Sequence, residues 1–170
     1  KPPLLRGARQ VGKSSAVRHL GTKFKYFAEV NFESAKSIAF FFKGDLDVKL
    51  ISSKISNYIQ VPIIPGQTLL FLDEIQACPE AIMALRFFKE DYPELHVIAA
   101  GSLLEFALQS LPTFGVGRIH SVFMYPMTFD EFLVAMDMGG LLAMRREATA
   151  THPLDVPFHD KLVNQFRTYL

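Results

Sequence analysis

Leu4-Leu-Arg-Gly7-Ala-Arg-Gln-Val-Gly12-Lys-Ser-Ser15 puts two apolar residues ahead of a loop with two glycines, which closes on Lys13, Ser14 and Ser15. Gly7 to Ser14 fits the spacing G-x-x-x-x-G-K-[ST]. The glycines let the backbone curl so that successive N–H groups point inward, and a helix opening at Gly12 adds the partial positive charge of its amino end. Such a nest takes phosphate. Lys13 is expected to reach the β- and γ-phosphates of a nucleotide, and the Ser14 hydroxyl to ligate Mg²⁺. The expected nucleotide contacts are therefore Gly7, Ala8, Arg9, Gln10, Val11, Gly12, Lys13, Ser14 and Ser15. Arg9 has two readings: it touches phosphate, or it braces the loop.

Charge is distributed as an anion site there requires. The formal net charge of the 170 residues is only +1, which gives no whole-molecule reason to expect nucleic acid or an anionic membrane as partner. The first 28 residues, however, carry seven Lys and Arg and no acid, whereas the remainder carries 11 cations against 17 acids. A hydrophobic fraction of 49% suffices for a core in a chain of this length. The single cysteine, Cys78, excludes an internal disulfide and a cysteine metal cluster and suits a reducing, cytoplasmic setting. Apolar runs fall short of the roughly 18 residues of a membrane span, since Glu105 and Asp137 interrupt the longest. The chain opens without Met almost directly on a strand and stops within an amphipathic helix, so it reads as a piece of a longer protein, truncated at both ends.

Outward from the loop, strands and helices alternate. Pro3 to Arg6 is a short strand, and Gly12 to about Phe24 a helix. Tyr26 to Phe32 alternates as a strand does. Leu50, Ile51, Ile55, Tyr58 and Ile59 mark a helix over Asp47 to Ile59, broken by Pro62, Pro65 and Gly66. Thr68 to Leu72 is continuously apolar, the pattern of a strand covered on both faces. Pro79 opens a helix that Tyr92-Pro93 closes. Leu95 to Ala100 is a second buried strand, Ser102 to Leu111 a helix, and Ile119 to Met124 a fifth strand. Thr128-Phe-Asp-Glu131 is the pattern of a capping box for a helix through about Met138, with Gly139-Gly140 as its stop. Residues 145–157 read as a linker, and Phe158 to Leu170 as a helix with Leu162, Val163, Phe166 and Tyr169 on one face. Alternation with strands this apolar implies an α/β three-layer sandwich with a parallel sheet. Ligands in such folds bind at the carboxyl ends of the strands, where the motifs fall.

Leu69-Leu-Phe-Leu-Asp73-Glu74 brings two acids to such an end. Neighbouring residues there diverge, so Asp73 can face the metal while Glu74 reaches an attacking water as base. His96-Val-Ile-Ala-Ala-Gly-Ser102 ends another buried strand, and Ser102 has two compatible roles, contact with the γ-phosphate or its water and the cap of the next helix. Arg118 precedes the fifth strand, far from its own chain's loop. It is either an arginine finger for a neighbouring subunit or a structural arginine. The five histidines have no metal-ligand spacing. Phe40-Phe41-Phe42 reads as core or as a contact for missing segments, and Met124, Met127, Met136, Met138 and Met144 as packing.

With LLRGARQVGKSS, LLFLDEIQACPEAIMALRFFKE, PELHVIAAGSLLEF, VGRI and MYPMTFDEFL in the same order, the chain resembles a prokaryotic AAA-type P-loop ATPase family. Its members carry an N-terminal ATPase domain followed by a poorly characterised C-terminal domain. The resemblance implies a five-stranded sheet of order 5-1-4-3-2. It also implies Walker A at Gly7 to Ser14, Walker B with its catalytic Glu at Asp73 and Glu74, and the sensor position at Ser102. Ser14-Ser15 stands where Thr is common, which keeps the metal-binding oxygen. On this reading residues 1–127 are the ATPase core, and residues 128–170 are a helical extension or the start of a lid or linker. The family's C-terminal domain is absent from the sequence.

Together these readings point to ATP and Mg²⁺ as ligands and to hydrolysis coupled to attached domains or partners, with Lys13, Glu74, Ser102 and Arg118 as the catalytic set and Ser14 and Asp73 on the metal. The expected partners are the missing domain, further copies of the chain, and a protein or DNA target, with no membrane. Two rivals remain: a nucleotide-gated protein- or DNA-binding module with little turnover, and a small-molecule kinase, for which no Arg-rich lid segment is present. A GTPase would need a guanine-reading Asn-Lys-x-Asp segment, which the sequence lacks.

Overall fold

The computed structural model describes residues 1–102, 104 and 119–170. Its chain divides into two compact units, Lys1–Tyr125 and Pro126–Leu170.

In the first unit five strands form one sheet: β1 Pro3–Arg6, β2 Tyr26–Asn31, β3 Thr68–Asp73, β4 His96–Gly101 and β5 His120–Phe123. All pair in parallel in the order β2-β3-β4-β1-β5, the implied order read from the other edge. Every residue of β3 is buried, as its unbroken apolar run requires. Alternate residues divide between two cores. Leu70 and Leu72 join Ala28, Val30, Val97 and Ala99 on one face, while Leu69 and Phe71 join Ile98 and Ala100 on the other. This is the period-two geometry of a strand covered twice. Helix α1 (Lys13–Gly21) covers the second face through Val17. Helices α2 (Val48–Ile59) and α3 (Pro79–Asp91) cover the first through Ile51, Ile55, Ala81, Leu85 and Phe88.

The boundaries follow from local chemistry. The Asp47 carboxylate accepts from the N–H groups of Lys49 and Leu50, capping α2, and Gln60 ends it in the left-handed region at φ 55°. Pro79 stands in the first turn of α3, where its missing N–H costs nothing. The Thr68 hydroxyl donates to Pro62 O and accepts from Ile64 N–H, both at 2.9 Å, so the proline-rich link is tied to the start of β3. The buried stripe of α2 is Val48, Ile51, Ser52 and Ile55, not the stripe through Leu50 and Tyr58. Those two are exposed, because one residue's rotation of about 100° takes Leu50 off the Ile51 face. The phenylalanine run lies on a 3₁₀ turn, Lys36–Phe42, with Phe42 in the core and Phe40 outside it.

The second unit holds α4 (Phe129–Ala135), α5 (Gly139–Glu147) and α6 (Val156–Tyr169) around Leu133, Leu141, Leu142 and Leu162. The Thr128–Glu131 capping box is present, with both reciprocal bonds. The expected stop at Gly139-Gly140 is not where α4 ends. Asp137 takes the left-handed position at φ 58°, with Met138 N–H on Leu133 O and Asp137 N–H on Val134 O. This is a Schellman ending in which Asp replaces Gly, and the two glycines open α5 instead. The expected linker over 145–157 is correspondingly shorter, since α5 runs to Glu147. The helix read at Ser102 to Leu111 lies outside the described residues, Ser102 and Leu104 apart.

Candidate functional site

Between β1 and α1 the backbone turns at three positive-φ residues: Gly7 at 148°, Gln10 at 63° and Gly12 at 94°. At Gly7 the curl depends on a missing side chain. A Cβ there would stand 2.1 Å from the Met124 carbonyl oxygen, just beyond β5. The same residue is held to β1 by its N–H on Arg6 O at 2.8 Å. Lys13, only 6% exposed, folds its ammonium back on the loop and donates to Gly7 O at 3.0 Å and Ala8 O at 2.6 Å. The loop is thus closed by the cation that the sequence assigned to phosphate.

Because β4 lies between β1 and β3, the ends of all three strands meet. The Ser14 hydroxyl, in the first turn of α1, donates to Asp73 Oδ2 at 2.8 Å across 59 residues of sequence. Asp73 Oδ1 accepts from Glu74 N–H at 3.0 Å. Burial pushes the Asp73 carboxyl above the ordinary carboxylate range, against the opposing pull of the Ser14 and Glu74 hydrogen bonds. A neighbouring cation would relieve that penalty. Ser14 and Asp73 are hard oxygen donors of the kind Mg²⁺ takes, one or two from the protein and the rest from phosphate and water. Among the described residues no cluster of three or more His, Cys, Asp or Glu is placed to hold a metal, so no all-protein cage competes with this pair. The donor set therefore fits a phosphate-bound Mg²⁺.

Glu74 turns away from Asp73 through a left-handed backbone, φ 49° and ψ 44°. Its carboxylate joins Arg9, Gln10, Gly12, Lys13, Ser14 and Ser15 in lining a cavity of about 330 Å³. Ser102, buried at the end of β4, donates to Glu74 Oε2 and accepts from Arg9 Nε, each at a long 3.4 Å. Arg9 also reaches Glu33 Oε1 at 3.3 Å, which braces it toward the end of β2. A second cavity, about 320 Å³, lies at the amino ends of the strands against Pro2, Leu20, Phe24, Phe88 and Leu95. No acid lines it, so it brings no carboxylate to a metal or a water.

The structure thus brings Lys13, Ser14, Asp73, Glu74 and Ser102 together. Arg118 lies outside the described residues. Two participants carry no sequence signal of their own. Gln76 donates to Glu74 Oε2 at 2.6 Å, and Glu33 pairs with Arg9. Both stand in turns just past a strand end, where side-chain direction depends on the turn rather than on any periodicity.

A family model described as an AAA domain matches residues 1–133. Among solved structures, the Aeropyrum pernix Orc1 protein in complex with DNA is similar with a TM-score of 0.50 at 15% identity, over 84% of this chain and 43% of that one. At that identity the likeness is one of fold, and this chain spans less than half of the Orc1 chain. No curated protein matches.

Proposed function

The chain belongs to the AAA-domain family of P-loop ATPases, and on that premise we propose that it binds ATP with Mg²⁺, hydrolyses the γ-phosphate and couples nucleotide state to attached domains or partners. The observation that carries this reading is the hydrogen bond from Ser14 to Asp73, with Glu74 lining the cavity of the phosphate loop. A loop that only turned the chain would have no need of a buried carboxylate on its helix.

Lys13 exchanges the Gly7 and Ala8 carbonyls for phosphate oxygens, and the amino end of α1 adds its N–H groups. Ser14 and Asp73 would hold a Mg²⁺, which would supply positive charge to offset that of the phosphates. Glu74 orients a water and accepts its proton as the water oxygen bonds to the γ-phosphorus and the bond from that phosphorus to the β–γ bridging oxygen breaks, so that ADP and phosphate leave. Ser102 donates to the γ-phosphate or to that water. Glu74 beside the phosphate loop favours water as acceptor over a small molecule.

The test is Glu74→Gln. The variant retains ATP binding, measured by titration with a fluorescent ATP analogue and Mg²⁺, and releases phosphate at least about 100-fold more slowly, the range seen when a catalytic base is removed. Turnover equal to the parent chain's removes Glu74 from the mechanism. Turnover with and without duplex DNA, at two salt concentrations, separates a DNA-coupled ATPase from one whose partner is a protein.

A further inference from the structure

We propose that Gln76 is a positioning residue for the Glu74 carboxylate, and that Gly101 lacks a side chain to make room for it. This rests on the hydrolysis reading above. The short turn Ile75–Ala77 follows Glu74 and is closed by Ala77 N–H on Glu74 O at 3.0 Å and Cys78 N–H on Ile75 O at 2.9 Å. It folds Gln76 back over the acid two residues before it. Gln76 Nε2 then donates to Glu74 Oε2 at 2.6 Å, the shortest hydrogen bond Glu74 receives from the described residues.

The other end of the carboxamide fixes its place. Gln76 Oε1 is buried with no hydrogen-bond partner among the described residues. Reversing the amide would put that oxygen against a carboxylate oxygen, so the donating orientation is the one the surroundings permit. A Cβ on Gly101 would stand 2.3 Å from Gln76 Oε1. The carboxamide is therefore wedged between the end of β4 and the acid at the end of β3. A buried acceptor left unpaired is costly, and the geometry shows what is obtained in return: a fixed donor on one oxygen of Glu74. Ser102 adds a weaker bond to the same Oε2. Oε1 receives no donor from the described residues, so one carboxylate oxygen is anchored while the other is left to take a proton.

The test combines kinetics with a measurement that needs no nucleotide. Gln76→Ala lowers kcat about 10- to 100-fold, the loss expected when a reacting group is misplaced by about 1 Å, while ATP affinity and KM stay within about twofold. Gly101→Ala lowers kcat in the same way by displacing the carboxamide. In the Gln76→Ala background it adds no further loss of kcat, because its Cβ then meets no amide. Its other neighbour, Leu104 Cγ at 3.0 Å, affects melting temperature rather than kcat, so rates are measured well below the melting transition. In the ¹⁵N-labelled, nucleotide-free chain, the Gln76 side-chain amide signal, assigned by its loss in Gln76→Ala, moves upfield and exchanges faster in Glu74→Ala. Wild-type kcat in Gln76→Ala, alongside lost turnover in Glu74→Gln, overturns the positioning role alone. So do multiplicative losses in the double variant. Wild-type turnover in Glu74→Gln overturns the hydrolysis reading and this inference with it.

Discussion

Gly7→Ala isolates what the phosphate loop costs to build. The new Cβ would stand 2.1 Å from the Met124 carbonyl oxygen and 3.1 Å from its carbon. Both are backbone atoms of a residue whose N–H is already on Arg6 O, so the obstacle does not rotate away as a side chain would. Restoring ordinary contact needs a shift of about 1 Å in the loop or in the residue after β5, against the close packing of the fold. The backbone at φ 148° adds about 1–3 kcal/mol for a residue with a Cβ. Overpacking adds a further 1–3 kcal/mol or so. The sum, about 2–6 kcal/mol, lowers the melting temperature by about 4–24 °C at about 2–4 °C per kcal/mol for a chain of this size. Gly66→Ala is the matched control, with φ at 72° and nothing within 4 Å of its Cβ. It has the backbone penalty without the collision. Thermal unfolding followed by circular dichroism, with titration of a fluorescent ATP analogue, reads both quantities. Gly7→Ala falls further than Gly66→Ala and loses nucleotide affinity, whereas Gly66→Ala keeps it. Equal melting points for the two variants would refute the contact with Met124 as the reason for glycine at position 7.

Lys13→Ala loses ATP binding by at least about 10-fold in the same titration, since Lys13 is the cation folded inside the loop, and unchanged affinity would contradict the phosphate-loop reading. Burial raises the Asp73 carboxyl above its ordinary value of 3.8, so the folded state holds the proton more tightly than the unfolded state does. Ligand-free stability from this residue is greatest below that value and falls as pH rises toward the folded one. Asp73→Asn therefore melts higher than the parent chain at pH 7 without ligand, gains less on adding ATP and Mg²⁺, and shows no such advantage near pH 3; a lower melting point at pH 7 refutes burial as the dominant influence. In the second unit, Thr128→Ala costs about 0.5–2 kcal/mol in denaturant unfolding. The backbone and side-chain bonds from Thr128 hold Glu131 below its ordinary value of 4.5, so in the parent chain this contribution is present above pH 4.5 and lost as pH falls through the lowered value. A variant without the bonds that keeps the same acid dependence would show that the capping box is not its source.

The parts of this fold that were legible in the sequence are those where one residue type has one structural use. β3 could be read because six consecutive residues are buried on both faces, and only a central strand tolerates that. The phosphate loop was legible from its glycines, and the α4 cap from Thr128 and Glu131. The sheet order was not legible from periodicity, because hydrophobic alternation says that a strand is covered and nothing about which strand lies beside it. The order came from the family resemblance. Gly139-Gly140 misled for a related reason. Glycine suits either end of a helix, and Asp137 had already taken the left-handed position that would have needed one. Gln76 and Glu33 lie in turns, where no repeat marks the side that faces the site.

The side chains of the site hold one another in place. Lys13 rests on two carbonyls of its own loop, Ser14 on Asp73, and Arg9 on Glu33 and Ser102. These three side chains expected to face ATP and its metal already have partners inside the protein. On the hydrolysis reading, binding exchanges these bonds rather than creating them from solvated groups. Such an exchange requires less new ordering than binding to freely moving side chains would. It also leaves one group under-compensated. Asp73 is buried with a hydroxyl and one N–H as its only hydrogen-bond donors among the described residues, and its raised proton affinity records the deficit. A metal bound beside it would supply the missing positive charge. The burial that disfavours the Asp73 carboxylate would then be offset by the metal, so this acid is one route by which nucleotide binding would raise the stability of the fold.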